Sequence, residues 1–136
     1  MNQQDQQRLA LQARQIQQGM QKAQQDLQQV EQQLKMIKST REGIEELSKK
    51  EEQDVIAPIG EGVYMPSEIK NTEKTLVEVG AGVVLEKTPD QAIITLGDRK
   101  DSLLDVKKKL KAQQKKLQRQ YQQIAQQIQQ QRQQSE

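Results

Sequence analysis

Two stretches in the middle of the chain decide its fold: residues 58–66, Pro-Ile-Gly-Glu-Gly-Val-Tyr-Met-Pro, and residues 77–87, Val-Glu-Val-Gly-Ala-Gly-Val-Val-Leu-Glu-Lys. Each stretch holds a Gly-X-Gly tripeptide between segments rich in β-branched and other apolar residues. Glycine adopts positive φ angles without steric cost, so each tripeptide predicts the tip of a β-hairpin. Residues 55–87 therefore predict two hairpins, linked by the polar run at residues 70–73.

The sequence on both sides of these hairpins follows a heptad pattern. Before them, apolar residues recur at alternating spacings of four and three: Leu9, Ala13, Ile16, Met20, Ala23, Leu27, Val30, Leu34 and Ile37. After them, a second series recurs every seven residues: Leu96, Leu103, Leu110, Leu117 and Ile124. These spacings place the apolar side chains on one stripe of a helix, as in a coiled coil. We therefore predict two long helices.

Glutamine is concentrated in the two helical segments: 28 of the 30 glutamines lie in residues 3–33 and 113–134. Glutamine-rich segments can be disordered and prone to aggregation. Glutamine is also a fair helix former. Because the heptad pattern persists through both segments, it favours helices over disorder. The second helix also has a start signal, since Thr88 can cap it, Pro89 suits its first position and Gln91 completes a capping box.

The two heptad series fit one another if the helices run antiparallel. The predicted register opposes Leu9 with Ile128, Ala13 with Ile124, Ile16 with Tyr121 and Leu27 with Leu110. We call the residues of both series, and those opposite them, the seam. The predicted fold class is mainly α with a small β segment: a long antiparallel two-helix coiled coil joined by two β-hairpins that oligomerise. As one domain, it comprises a helix at residues 1–53, a double hairpin at 54–88 and a helix at 89–136.

The composition excludes several classes of protein. The chain has 136 residues with no Cys and no His, which excludes a zinc enzyme and a Ser-His-Asp hydrolase. The Gly-X-Gly tripeptides lack the further residues of nucleotide-binding loops. Apolar runs are too short to span a membrane, the first residues do not form a signal peptide, and the net charge is only +2. We expect a cytoplasmic protein that is not an enzyme and uses no cofactor, metal, membrane or nucleic acid.

The β segment is predicted to be an assembly module. Short hairpins with apolar faces are marginal in water by themselves and need a partner sheet. The alternative is a self-sufficient four-stranded cap on the helices. The predicted subunit-assembly residues are Val63, Met65, Ile69, Leu76, Val77, Val79, Val83, Val84 and Leu85.

Both chain termini meet at the far end of the predicted coiled coil. There the seam is able to splay and expose apolar surface to another polypeptide, and Leu11 lies off the seam as a solvent-facing residue. The predicted binding residues are Leu9, Leu11, Ile16, Tyr121, Ile124 and Ile128. The alternative is that the seam members among them are ordinary coiled-coil core.

Residues 58–66, followed by Ile69-Lys70-Asn71-Thr72, resemble the central signature of the prefoldin alpha subunit. The similarity continues through residues 77–87 and into Asp90-Gln91-Ala92-Ile93 at the start of the second helix. The plan of helix, double hairpin and helix covers nearly the whole chain. Two hairpins resemble alpha-class subunits, whereas beta-class subunits have one.

This resemblance implies a hexamer of two alpha and four prefoldin beta subunits, whose hairpins form a double barrel. It also implies a chaperone that binds non-native client proteins at the coiled-coil tips without ATP. The clients would then be delivered to a group II chaperonin, and the binding residues at the termini would be client-binding residues. The glutamine content of the tips departs from the family pattern.

The basic residues of the second predicted helix have three possible interpretations. From Val106 to Ser135 there are eight basic residues and no acidic one. A solvated helix face is favoured; attraction of acidic clients or of a chaperonin rim is the second interpretation. Nucleic-acid binding is disfavoured because stacking aromatic residues are lacking.

A second hypothesis for the whole protein is a structural tether or adaptor that uses the coiled coil as a spacer.

Overall fold

The computed structural model describes residues 2–134. Over that range the chain forms two long helices with four strands between them: α1 (Gln3–Leu47), β1 (Gln53–Gly60), β2 (Val63–Ile69), β3 (Thr75–Gly80), β4 (Val83–Lys87) and α2 (Pro89–Gln134). This order confirms the predicted mainly α fold with a small β segment. The predicted helical segments include Met1, Ser135 and Glu136, which lie outside the described residues.

The chain divides into two compact units. The coiled-coil unit combines α1 up to residue 33 with α2 from residue 102 onward. The hairpin unit consists of residues 34–101, which include all four strands and the adjoining parts of both helices.

In the coiled-coil unit the two helical segments run antiparallel, close to the predicted register. Gln17 Nε2 donates a hydrogen bond of 3.0 Å to the Tyr121 hydroxyl, and Gln114 Nε2 donates one of 2.9 Å to Gln24 Oε1. The predicted register opposes Ile16 with Tyr121, which is one residue away from the observed contact. The heptad pattern therefore predicted the pairing of these two segments to within about one residue.

Both helices begin with side-chain caps. The Gln91 backbone N–H donates to Thr88 Oγ1 at 3.2 Å, and the Thr88 N–H donates to Gln91 Oε1 at 3.1 Å, which confirms the predicted capping box. At α1 the Asp5 N–H donates to Asn2 Oδ1 at 3.0 Å, a cap that the sequence analysis did not identify. Neither helix, over the residues described, is apolar enough along a sufficient length to cross a membrane.

The strands form two separate antiparallel pairs, the first hairpin (β1–β2) and the second hairpin (β3–β4). Both turns have positive φ angles at their two central residues: 52° at Glu61 and 78° at Gly62, then 51° at Ala81 and 75° at Gly82. This is the pattern of a type I′ turn, which joins adjacent strands tightly. Among the described residues the four strands form these two pairs and not one sheet. Each tight turn pairs a strand only with its immediate successor.

Candidate assembly and client-binding surfaces

Apolar side chains on the hairpins are exposed. Of the nine predicted assembly residues, seven are exposed: Val63, Met65, Leu76, Val79, Val83, Val84 and Leu85. The other two, Ile69 and Val77, are half-buried. Clustered apolar exposure of this kind is typical of a surface that contacts another protein. The structure therefore places the predicted residues on two strand pairs, where most of them are exposed.

The first hairpin carries three further exposed apolar residues that the sequence analysis missed: Ile56, Ile59 and Tyr64. Ile56 is 70% exposed. The predicted first hairpin implied a strand before its tip, but no residue of that strand was among the predicted assembly residues. In the structure Pro58 lies opposite Tyr64, and Ile56 lies opposite Pro66. Counting back from the predicted turn places β1 against β2, which would have identified Ile56 and Ile59. We call all twelve residues the hairpin surface.

The second hairpin is fixed to α2 by polar contacts within the hairpin unit. The Arg99 guanidinium donates a hydrogen bond to the Glu78 backbone carbonyl on β3. The Lys87 ammonium donates to Thr95 Oγ1 at 2.9 Å. A shallow groove beside β3 is lined by residues of both helices and of the strand, including Ile44, Leu76, Ala92 and Leu96. These contacts join both strands of the second hairpin to α2, through Glu78 on β3 and through Lys87 at the end of β4.

The seam residues of the coiled-coil unit are covered to different degrees. Leu9, Ala23 and Val30 are buried. The remaining predicted client-binding residues of the seam, Ile16, Tyr121, Ile124 and Ile128, are half-buried. Leu11 is 55% exposed, as predicted for a residue off the seam. Five of the six predicted client-binding residues thus lie in the interface of the two helical segments, and one faces solvent.

A shallow groove lies between the two helical segments of the coiled-coil unit. Ile16, Leu117 and Ile124 contribute its apolar side chains. Its remaining lining residues are Gln12, Gln15, Gln120 and Gln123. Each glutamine amide carries two N–H donors and an acceptor oxygen, so these residues can hydrogen-bond a peptide backbone from either group. The groove therefore combines an apolar strip with uncharged hydrogen-bonding groups.

The basic run of α2 forms an ion pair with the opposite helix: Lys107 Nζ lies 2.6 Å from Glu31 Oε1. The Lys107 side chain is 26% exposed, so its methylene groups pack along the seam while its ammonium reaches the carboxylate. In the hairpin unit, Glu42, Glu45 and Glu46 share a groove with lysines and a glutamine. Mixed charge of this kind is typical of a solvated surface.

Comparison with known proteins places this fold in a family. The model of the prefoldin subunit family matches residues 16–134, which is most of the chain. The chain belongs to the prefoldin family. This confirms the resemblance that residues 58–66 and 77–87 carry.

Individual prefoldin relatives match over a shorter part of the chain. It is 37% identical over 59 residues to the prefoldin subunit alpha of Methanosarcina barkeri and 43% identical over 58 residues to that of Nitrosopumilus maritimus. Each alignment covers 43% of this chain and 41% or 40% of the relative. The match therefore spans about two-fifths of the length of these curated relatives.

A solved structure supports the fold independently of sequence. The cryo-EM structure of filamentous PFD from Methanocaldococcus jannaschii superposes with a TM-score of 0.78. The superposition covers 85% of this chain and 97% of that chain, with 14% sequence identity. At this identity the likeness establishes the helix, hairpin and helix architecture.

Proposed function

We propose that this chain is an alpha-type subunit of an ATP-independent, prefoldin-like molecular chaperone in the cytoplasm. The hairpin surface joins it to prefoldin beta subunits, in a hexamer of two alpha and four beta chains. The observation that carries this proposal is the exposed hairpin surface in a chain of the prefoldin family. Two-stranded hairpins are marginal alone, so a covering chain stabilises them. In this proposal residues 54–88 serve assembly, and the segments at 1–53 and 89–136, which contain α1 and α2, carry the client-binding end.

The coiled-coil unit is the part that binds client proteins in this proposal. Non-native proteins expose apolar side chains and unpaired backbone groups. The groove of Ile16, Leu117 and Ile124 offers an apolar strip that can contact the exposed apolar side chains. The glutamine amides of the groove can form hydrogen bonds with the unpaired backbone groups. Binding of this kind needs no nucleotide. Bound clients then pass to a group II chaperonin.

Native mass spectrometry of the chain, isolated with its partners from its own host, tests the assembly. We expect a mass equal to two copies of this chain and four copies of a second coiled-coil subunit. A monomer, or a complex with one stoichiometric partner of another fold, would contradict the proposal.

Substitutions on the second hairpin test whether the hairpin surface is responsible. Val79→Asp and Val83→Asp each place a charge on an exposed apolar position, and we expect them to dissociate the complex. Val106→Asp is the matched control, because Val106 is an equally exposed valine on α2. If the complex remains intact in both variants, the β segment is not part of the interface.

Suppression of aggregation tests the chaperone activity itself. We expect the assembled complex to reduce light scattering by a chemically denatured protein diluted into buffer without ATP. Truncation of residues 1–12 and 125–136 should weaken this effect and leave assembly intact. Of these residues, Met1, Ser135 and Glu136 lie outside the described structure.

A second candidate function, a coiled-coil tether between fixed partners, is favoured by one observation. Most large apolar residues of the coiled-coil unit are covered in the seam, and Leu11 is the exposed one among the predicted client-binding residues. A tether needs only a rigid, polar spacer of this kind. It predicts one folded partner bound stoichiometrically and no effect on an aggregating protein.

A further inference from the structure

The basic residues of α2 lie on different sides of the helix. Lys107 lies in the seam and pairs with Glu31. Lys109 and Lys116 lie fourteen and seven residues before Gln123, which lines the groove of the coiled-coil unit. Residues seven apart occupy equivalent positions on a coiled-coil helix. These two lysines therefore continue the groove side of α2 beyond the groove itself.

The opposite helix adds a third lysine on this side of the unit. Lys22 of α1 lies seven residues after Gln15, which also lines the groove. The hydrogen bond of Gln114 to Gln24 fixes the register here, since Lys22 is two residues before Gln24 and Lys116 is two residues after Gln114. Because the two helical segments run antiparallel, Lys22 and Lys116 lie at facing positions. We call this set the groove-edge lysines: Lys22, Lys109 and Lys116.

The groove-edge lysines form no ion pair within the described part of the chain. All three are exposed. Asp26, one turn along α1 from Lys22, is half-buried and pairs with none of them. On α2 the sequence has no acidic residue from Val106 to the end of the helix at Gln134. Ammonium groups in such a setting favour an anionic group that a binding partner supplies.

The groove and the groove-edge lysines together define the chemistry of a ligand. The strip of Ile16, Leu117 and Ile124 suits aliphatic side chains, whereas the lysines suit carboxylates. A nucleic acid would contact the lysines and leave the apolar strip uncovered, but a polypeptide carries both kinds of group. From Leu117 to Lys109 the helix rises about 12 Å, at about 1.5 Å per residue. An extended peptide covers this length with about four residues.

We propose that this site binds preferentially those client segments in which apolar residues lie within about four residues of Asp or Glu. The apolar side chains contact the strip, the glutamine amides bond the client backbone, and the carboxylates pair with the groove-edge lysines. Each exposed ion pair is weak, but three of them act on one segment. The inference rests on the proposed function and names the class of client that this chain prefers.

Peptide binding to the intact complex tests the preference. One labelled, unstructured peptide carries leucines followed by a run of glutamates, and a second has glutamines in place of the glutamates. We expect fluorescence anisotropy to show at least about fivefold tighter binding of the glutamate peptide, with a difference that shrinks as salt is added. Equal affinities would overturn the acidic preference and leave the proposed function standing. If neither peptide binds, the proposed client groove is wrong together with this inference.

Two matched variants test whether the groove-edge lysines are responsible. The first changes all three of them: Lys22→Gln, Lys109→Gln and Lys116→Gln. The control changes three exposed lysines on the side of α2 away from the groove: Lys108→Gln, Lys111→Gln and Lys115→Gln. Both variants lose the same net charge, and native mass spectrometry checks that both assemble. We expect the first to bind the two peptides equally and the control to keep the wild-type preference.

Two results of this comparison would overturn the inference. If both variants lose the preference to the same extent, the net charge of the chain is responsible and not the groove edge. A labelled RNA duplex distinguishes the other class of polyanion. Binding of that duplex to the wild-type complex at physiological ionic strength, lost in the groove-edge variant and kept in the control, would assign these lysines to nucleic acid.

Discussion

Gln17 and Tyr121 are joined by a hydrogen bond of 3.0 Å across the two helical segments of the coiled-coil unit, with the glutamine amide donating to the phenol oxygen. This bond is exposed, so water replaces it readily when it is broken. We expect Tyr121→Phe to lower the free energy of unfolding by less than about 1 kcal/mol. Tyr121→Ala should cost about 1–3 kcal/mol, because the half-buried ring also packs in the seam. Urea unfolding followed by circular dichroism measures both; equal losses would show that the hydrogen bond dominates.

An engineered disulfide tests the register of the same two segments. The chain has no cysteine, so Ala13→Cys with Ile124→Cys introduces a single pair of thiols. The observed contact of Gln17 with Tyr121 places these positions opposite one another within about one residue. We expect an intramolecular disulfide on mild oxidation, detected by mass spectrometry of the non-reduced chain. The control pair, Ala13→Cys with Leu110→Cys, should form none. Crosslinks only between chains would contradict the register.

The capping box of α2 should have a measurable effect on stability. Thr88→Ala removes the hydroxyl that accepts the Gln91 N–H, and we expect a loss of about 0.5–2 kcal/mol. Thr88→Ser keeps the hydroxyl and should stay within a few tenths of a kcal/mol of the wild type. A thermal unfolding series of the three proteins distinguishes the cap from any loss of the threonine methyl group.

Two glycines should respond in opposite directions to alanine. Gly43 lies inside α1, and an added Cβ would meet nothing within 4 Å, so Gly43→Ala should stabilise the protein by about 0.5–1 kcal/mol. Gly82 also has open space around it, but its φ of 75° is unfavourable for any residue with a Cβ. We expect Gly82→Ala to destabilise the protein by about 1 kcal/mol, measured by urea unfolding. Stabilisation at Gly82 would show that the turn relaxes to another conformation.

Client capture should depend on Leu11 more than on a matched exposed leucine. Leu11→Gln removes the exposed apolar residue of the predicted client-binding set, and we expect weaker suppression of aggregation. Leu104→Gln changes another exposed leucine of the coiled-coil unit and should leave suppression unchanged. Native mass spectrometry of both variants confirms that each still assembles. If the two substitutions have equal effects, Leu11 has no specific role in the client-binding surface.

Local signals in the sequence predicted much of this fold. The start of α2 at Pro89 followed from Thr88 and Gln91, because a capping box involves only residues within one turn. The turns at Glu61 and Ala81 followed from their flanking glycines. The register of the coiled-coil unit followed from the heptads, since few offsets bring two apolar stripes together.

The sequence was less informative where contacts are distant or irregular. The Arg99 hydrogen bond to Glu78 joins residues on different elements, and nothing near either residue indicates it. Ile56 and Ile59 precede the first predicted turn and were not among the predicted assembly residues, which all follow it. The glutamines around Ile16 were noted only as a compositional feature, although the fold gathers four of them from two helices into one groove. Such groupings depend on tertiary packing, which short-range patterns do not describe.

The separation of the two hairpins into independent strand pairs has a consequence for the lifetime of an assembly. A chain held through two independent hairpins is attached bivalently, and loss of one attachment leaves the other in place. The detached hairpin then stays at a high effective concentration near its site and rebinds before the chain escapes. Two individually weak contacts would thus give the chain a long residence time in the assembly. A substitution in one hairpin would shorten this residence time far more than it would lower the association rate.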